Sequence, residues 1–197
     1  MSPANGKPPV VFVHGLWLHA ESWNKWVAFF KENGYDARAA SWPGDGPTTE
    51  ATRKNSQAVA GFGVKEIADH IAAQLKSLPR KPTLIGHSFG GLLVQNLLGR
   101  DLAAAAVAID PAPIKGVWQL PLSALRSAFP ALGNPFNYGR AVSLTASQFR
   151  YAFTNAVSEA EARELYGKYA MPAPARPLFQ AATATFNPGA ATKVNTA

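Results

Sequence analysis

One serine lies in a setting that could activate its hydroxyl as a nucleophile. Ser88 follows the apolar run of residues 83–85, and glycines flank it two positions away on each side, at Gly86 and Gly90. An apolar helical pattern begins at Leu92. A G-x-S-x-G pattern between a strand and a helix is typical of a nucleophile elbow, a turn so sharp that the serine is strained and the neighbouring chain leaves no room for side chains. The sequence therefore predicts a nucleophilic Ser88.

A serine hydroxyl is a poor nucleophile without a base within hydrogen-bond reach. The chain has four histidines, none of them after Ser88. We expect His14 to make a structural hydrogen bond and His70 to lie on the polar face of a helix. His87 adjoins the serine, and its side chain is expected to point away from it. His19, on the loop after the first strand, is the best of a poor set of candidates for the base.

The elements around these residues alternate between strands and helices. Apolar runs of strand type occupy residues 9–13, 35–41, 83–85 and 104–109. Helical patterns lie between them, including an amphipathic helix over 64–78, while residues 44–63 are polar and turn-rich. This alternation predicts an α/β domain whose buried, parallel strands are joined by right-handed crossovers.

The alternation ends at Asp110, and the chain beyond it has a different pattern. Residues 114–185 contain helical patches separated by prolines and glycines, with no convincing buried strand. We therefore expect a core over 1–113, a helical cap over 114–185 and a flexible tail over 186–197 that leads toward a missing core segment.

The sequence resembles the α/β-hydrolase family at two motifs. His14-Gly15, after the first strand, resembles the family's oxyanion turn, and residues 86–91 resemble its nucleophile elbow about 74 positions later. The helical region after Asp110 resembles the cap of the esterase, lipase and haloperoxidase-like branch. The resemblance implies that Ser88 attacks a small-molecule carboxylic ester to form an acyl-enzyme. It also implies that the backbone N–H groups of Leu16 and Phe89 bind the oxyanion.

Further site residues rest on the same resemblance. Asp110 ends the strand after the elbow helix, where some relatives carry the acid of the triad; the alternative is that Asp110 only makes a turn into the cap. Trp17, His19 and Trp118 are expected to line the substrate pocket. Three phenylalanines could line it too: Phe129, Phe136 and Phe149. Apart from His19, each of these residues could equally be ordinary core or cap packing. No cofactor and no metal site is implied.

The chain departs from the family pattern because the family places its acid and then its histidine after the serine. We therefore expect a C-terminally incomplete α/β-hydrolase sheet that is inactive by itself. If the sheet ends at residues 104–109, this strand has an apolar edge with unpaired backbone groups, which favours pairing with another strand. The expected partner is either a complementing C-terminal segment or a second copy of the chain.

Composition limits the other classes of function. The net charge is +7, but the basic residues are scattered, so nucleic-acid binding is not expected. The chain has no cysteine and no apolar run long enough to span a membrane, and its first residues contain no apolar signal segment. A cytoplasmic location is therefore expected. The competing functions are a non-catalytic binding protein, and a perhydrolase or carbon–carbon bond hydrolase that uses the same elbow.

Overall fold

A computed structural model describes residues 6–117 and 121–196. Its main sheet has four strands: β1 (Val10–Val13), β2 (Ala37–Ala40), β3 (Thr83–His87) and β4 (Ala105–Ile109). The strands are parallel and lie in the order β2-β1-β3-β4. This confirms the predicted α/β class.

Helices cover both faces of this sheet because successive side chains of a strand point to opposite faces. On one face, Phe12 packs against Trp23 beside α1 (Asn24–Glu32), with ring centroids 5.0 Å apart. On the other face, Val11 and Leu84 join the larger core cluster with apolar side chains of α3 (Val64–Leu75) and α4 (Phe89–Gly99). The buried stripe of α3 is the predicted amphipathic face, although the helix ends at Leu75 rather than 78.

The segment 44–63 is more regular than its polar composition indicates. It contains α2 (Thr49–Lys54), which begins because the Thr48 side chain accepts a hydrogen bond from Ala51 N–H. Glu21 adds a second constraint, since its carboxylate accepts hydrogen bonds from the backbone N–H and the hydroxyl of Thr49. The backbone N–H bond is the largest cause of the lowered pKa of Glu21.

The second half of the chain contains helices separated by irregular segments, and it contacts Trp17 and Leu18 in the loop after β1. Its helices are α5 (Leu122–Leu132), α6 (Ala146–Phe153), α7 (Glu159–Tyr169) and α8 (Arg176–Ala182). A two-residue antiparallel ladder joins β5 (Ala141–Val142) to β6 (Ala173–Pro174), a strand pair that the sequence did not predict. Trp17 connects this half to the core: its indole N–H donates to Val142 O, and its carbonyl accepts from Met171 N–H.

The last described residues pack against the core. Thr192 is fully buried, and its carbonyl accepts a hydrogen bond from Lys115 N–H. The carbonyl oxygen of Asn195 lies so close to α4 that a Cβ on Gly99 would come within 2.4 Å of it. This segment therefore lies against α4 and Lys115, while the division into core, cap and flexible tail remains a prediction.

Candidate active site

Ser88 has the backbone conformation of the predicted elbow. It joins the end of β3 to the start of α4 with φ 56° and ψ −123°, a left-handed conformation that side chains disfavour. The flanking glycines permit it: a Cβ on Gly86 would lie 2.2 Å from Gly90 O, and a Cβ on Gly90 would lie 2.2 Å from Val13 O. The turn is therefore possible only because neither glycine carries a side chain.

The turn after β1 lies directly against this serine. A Cβ on Gly15 would be 2.9 Å from Ser88 Cβ and 3.4 Å from Ser88 Oγ. The two segments meet because Val13 pairs with Gly86, which aligns the carboxyl ends of β1 and β3. Phe89 is the first residue of α4, so its N–H has no partner within the helix. Leu16 follows Gly15 in the turn and is buried.

Both histidines of the first loop are buried and engaged in the fold. His14 contacts Gly15 O through Nδ1 at 2.9 Å and Asp45 Oδ2 through Nε2 at 3.2 Å. His19 donates from Nε2 to Gly46 O, and its Nδ1 accepts from Glu21 N–H. The structural role expected of His14 is therefore observed. Both nitrogens of His19 have partners within the fold, and its role as a candidate base stays a prediction.

The other two histidines lie outside the first loop. His70 is exposed on α3, on the face predicted for it. His87 is half-buried beside the elbow, and burial lowers the pKa of its imidazole below the ordinary value, while the nearby Asp110 partly opposes this effect. In the described part of the chain, no histidine nitrogen makes a hydrogen bond to Ser88 Oγ.

Asp110 lies at the carboxyl edge, as expected, but in an exposed position. It follows β4 with φ 40°, and Ile109, the residue before it, pairs with His87. The chain then turns back onto the elbow, where Ala112 N–H donates to Ser88 O at 2.9 Å. These contacts suit both a turn into the cap and an acid that orients a histidine, so the role of Asp110 remains a prediction.

Two cavities lie near this edge, and Ser88 is not among the lining residues of either. The smaller, about 160 Å³, is bounded by Gly15, His87 and aromatic side chains of the α1 region. The larger, about 400 Å³, lies between α2 and the second half of the chain and is lined by Trp17, Tyr166 and Met171 among others. Because the smaller cavity includes Gly15, which contacts Ser88, it is the nearer of the two to the elbow.

The predicted pocket residues have different outcomes. Trp17 lines the larger cavity and His19 lines neither of the two, and the place of both residues in a substrate pocket stays a prediction. Trp118 lies outside the described residues. Phe129 is 68% exposed on α5, Phe136 is 78% exposed, and Phe149 is buried in the packing of α6 with 2% exposure. Within 6–117 and 121–196, no group of three or more His, Asp or Glu side chains could hold a metal ion.

Two residues near the site were missed by sequence reasoning. Asp45 pairs with His14, and the side chains of both are fully buried. Trp42 stacks on the His14 ring with centroids 4.8 Å apart, and its backbone N–H donates to Asp45 Oδ2 at 2.8 Å. A carboxylate in the turn-rich Trp42–Pro47 segment, directly after a strand, was the available signal, but its partner lies 31 positions earlier in the chain.

The chain belongs to the α/β-hydrolase family. A family model described as "alpha/beta hydrolase family" matches residues 10–195. No curated protein sequence matches the chain. In the described residues, no helix is long and apolar enough to cross a membrane.

Several solved structures have the same fold. One is an extracellular α/β-hydrolase from a Paenibacillus species, described as sharing structural and functional homology with tobacco salicylic acid binding protein 2. It matches with a TM-score of 0.68 at 27% identity, and the match covers 87% of this chain and 69% of that one. Tomato methylketone synthase I matches with a TM-score of 0.62 at 16% identity over 85% of this chain and 67% of the other. The monoacylglycerol lipase of Paleococcus ferrophilus matches with a TM-score of 0.56 at 22% identity, covering 89% of this chain and 67% of that one. The chain therefore spans about two thirds of the length of each of these structures.

Proposed function

We propose that this chain carries the nucleophile and oxyanion site of a serine esterase of the α/β-hydrolase family. The observation that carries the proposal is the conformation of Ser88, which places a hydroxyl on a glycine-bounded turn at the start of a helix. In the reaction, Ser88 Oγ bonds to the carbonyl carbon of a carboxylic ester, and the alcohol leaves with a proton. Water then hydrolyses the acyl-enzyme, releasing the acid and restoring the serine.

The oxyanion that develops in this reaction is stabilised by backbone donors. The N–H of Phe89 has no helical partner, and the dipole of α4 favours negative charge at this end. Leu16 supplies the second N–H from the turn that contacts Ser88. Removing one such donor typically costs about 3–4 kcal/mol in the barrier.

The base is proposed to come from outside these 197 residues. His14 and His19 are hydrogen-bonded within the fold, and His70 is on the surface of α3. The edge strand β4 offers a place for a complementing segment, since Val107 is 48% exposed and β4 pairs only with β3 among the described strands. We propose that such a segment, or a second copy of the chain, pairs with this edge. In the first case it would bring the imidazole to Ser88.

The substrate class proposed is an ester with an apolar acyl or alcohol group. Ser88 does not line the cavity between α2 and the proposed cap, but Trp17 follows directly on Leu16 and contributes to its apolar wall with Leu144 and Met171, which supports this class. Arg53 crosses from α2 to the cap, where its guanidinium donates to the carbonyls of Tyr166 and Ala170, so the cap side of this cavity is fixed to the core. A cytoplasmic location is also proposed, supported by the absence of cysteine from the sequence.

A fluorophosphonate probe tests the nucleophile directly. With imidazole added as the missing base, the probe should label Ser88, and peptide mass spectrometry should place the adduct on that residue. The Ser88→Ala variant should remain unlabelled, while Ser22→Ala, a matched change in the adjacent loop, should label like the wild type. Labelling that survives in Ser88→Ala would contradict the proposal.

One observation favours a second function, a binding protein that retains the elbow without catalysis. That observation is the engagement of both nitrogens in His14 and in His19, which leaves Ser88 without a base from the first loop. Absence of labelling by the probe, even with imidazole present, would favour this function over the esterase.

A further inference from the structure

A buried chain of contacts leads from Trp42 to the peptide that presents the Leu16 N–H. Trp42 N–H donates to Asp45 Oδ2 at 2.8 Å, and the same oxygen lies 3.2 Å from His14 Nε2. The other ring nitrogen, His14 Nδ1, lies 2.9 Å from Gly15 O. The carbonyl of Gly15 and the N–H of Leu16 belong to one planar peptide unit, so holding one end orients the other.

We propose that Asp45 is a positioning residue for the oxyanion site: acting through His14, it fixes the Gly15–Leu16 peptide so that Leu16 N–H points at the substrate oxyanion. The inference rests on the proposed esterase function and adds a residue to its site. Asp45 does not touch the substrate, because its side chain is fully buried behind His14.

The placement of hydrogens explains why a carboxylate is needed here. Gly15 O only accepts, so His14 Nδ1 must carry a hydrogen to bond with it. Asp45 Oδ2 already accepts from Trp42 N–H, and one further hydrogen must lie between Oδ2 and His14 Nε2. A carboxyl group satisfies both contacts with a single oxygen.

An amide at this position cannot do the same. In Asp45→Asn, the amide oxygen would still accept from the backbone N–H of Trp42. It would then face His14 Nε2 with no hydrogen between the two atoms, because an amide oxygen carries none and Nε2 of this tautomer carries none. The ring could restore that contact by moving its hydrogen to Nε2, but Nδ1 would then present a lone pair to Gly15 O and release the peptide. A near-isosteric change is therefore expected to loosen the oxyanion turn while leaving the packing of Trp42 on His14 in place.

Phenylboronic acid provides the test, because it becomes a tetrahedral anion when Ser88 Oγ bonds to boron and the serine proton passes to the buffer. Formation of this adduct, followed by ¹¹B NMR, reports on the oxyanion site without requiring a histidine base. We expect Asp45→Asn to weaken the adduct by about ten-fold or more, since small misplacements of donors have large effects. Binding of benzyl alcohol, which has no oxyanion, should change by less than about two-fold, because the apolar contacts persist.

Thr52→Val is the matched control. Thr52 lies in the same segment and is buried; its hydroxyl accepts from Gly46 N–H and donates to Thr48 O, with no hydrogen bond to His14 among the described residues. The Thr52→Val variant should be less stable than the wild type but should form the phenylboronic acid adduct with the same affinity. The amide resonance of Leu16 should move in Asp45→Asn and stay in place in Thr52→Val, which separates positioning from a general loss of structure.

The outcomes separate the two proposals. An adduct on the wild type that is undiminished in Asp45→Asn, or equally weakened in Thr52→Val, would overturn the role of Asp45 and leave the esterase function standing. Failure of the wild type to form any adduct would refute the proposed esterase function, and the role of Asp45 with it.

Discussion

Replacing Ser88 by glycine is predicted to stabilise the fold while removing the nucleophile. At φ 56° and ψ −123°, a residue with a Cβ is strained, and such strain typically costs about 1–3 kcal/mol. Glycine relieves it but brings an entropic cost of roughly 0.5–1 kcal/mol from the unfolded chain. Because Ser88 Oγ makes no hydrogen bond within the described residues, its loss adds little. The net gain is about 1 kcal/mol, or about 2–4 °C in Tm for a chain of this size.

The assay is urea unfolding followed by circular dichroism, with Ser88→Ala as the first control. Alanine keeps the Cβ and hence the strain, so it should be no more stable than the wild type. Ser127→Gly, within α5, should instead be less stable, because glycine is unfavourable in an ordinary helix. If Ser88→Gly proves no more stable than Ser88→Ala, the elbow is not strained and the reasoning is refuted.

Two other predictions concern the edge of the site. Gly90→Ala should destabilise the fold by about 1–3 kcal/mol, since its Cβ would lie 2.2 Å from Val13 O. Gly167→Ala in α7, where a Cβ has open space, is the control and should not destabilise it. Equal urea midpoints for the two variants would contradict this prediction. An NMR titration should give His87 a pKa below its usual 6.5, and Asp110→Asn should lower that pKa further. Because the pKa of His87 is lower in the folded chain, the unfolded chain binds more protons at about pH 6. The free energy of unfolding should therefore rise with pH, and the stability that neutral His87 contributes should be lost as pH falls below about 6.5. A His87 pKa above 6.5 would contradict both the lowered pKa and this pH dependence.

The strands and the elbow could be predicted because their signals are local. The apolar run of β3 and the glycines around Ser88 determine a strand and a turn from adjacent residues alone. The amphipathic helix at Val64–Leu75 likewise followed from the spacing of its apolar side chains. These features do not depend on which distant segment packs against them.

The features that escaped prediction depend on distant partners. No neighbouring residue distinguishes Asp45 from an ordinary turn residue, and only the folded structure brings His14 to its side chain. The polar composition of 44–63 gave no sign of α2, which Glu21 stabilises from an earlier loop through Thr49. The carbonyl and amide partners of His19 likewise could not be read from the sequence.

The central claim is that Ser88 is a strained nucleophile for which no histidine of this chain acts as base. Turnover of p-nitrophenyl acetate by the 197-residue chain, compared with its Ser88→Ala variant at equal concentration, tests this most directly. The account predicts that both proteins turn over the ester at the same rate, close to that of buffer. Rapid turnover by the chain alone that disappears in Ser88→Ala would contradict it, since one of the four histidines would then be serving the serine.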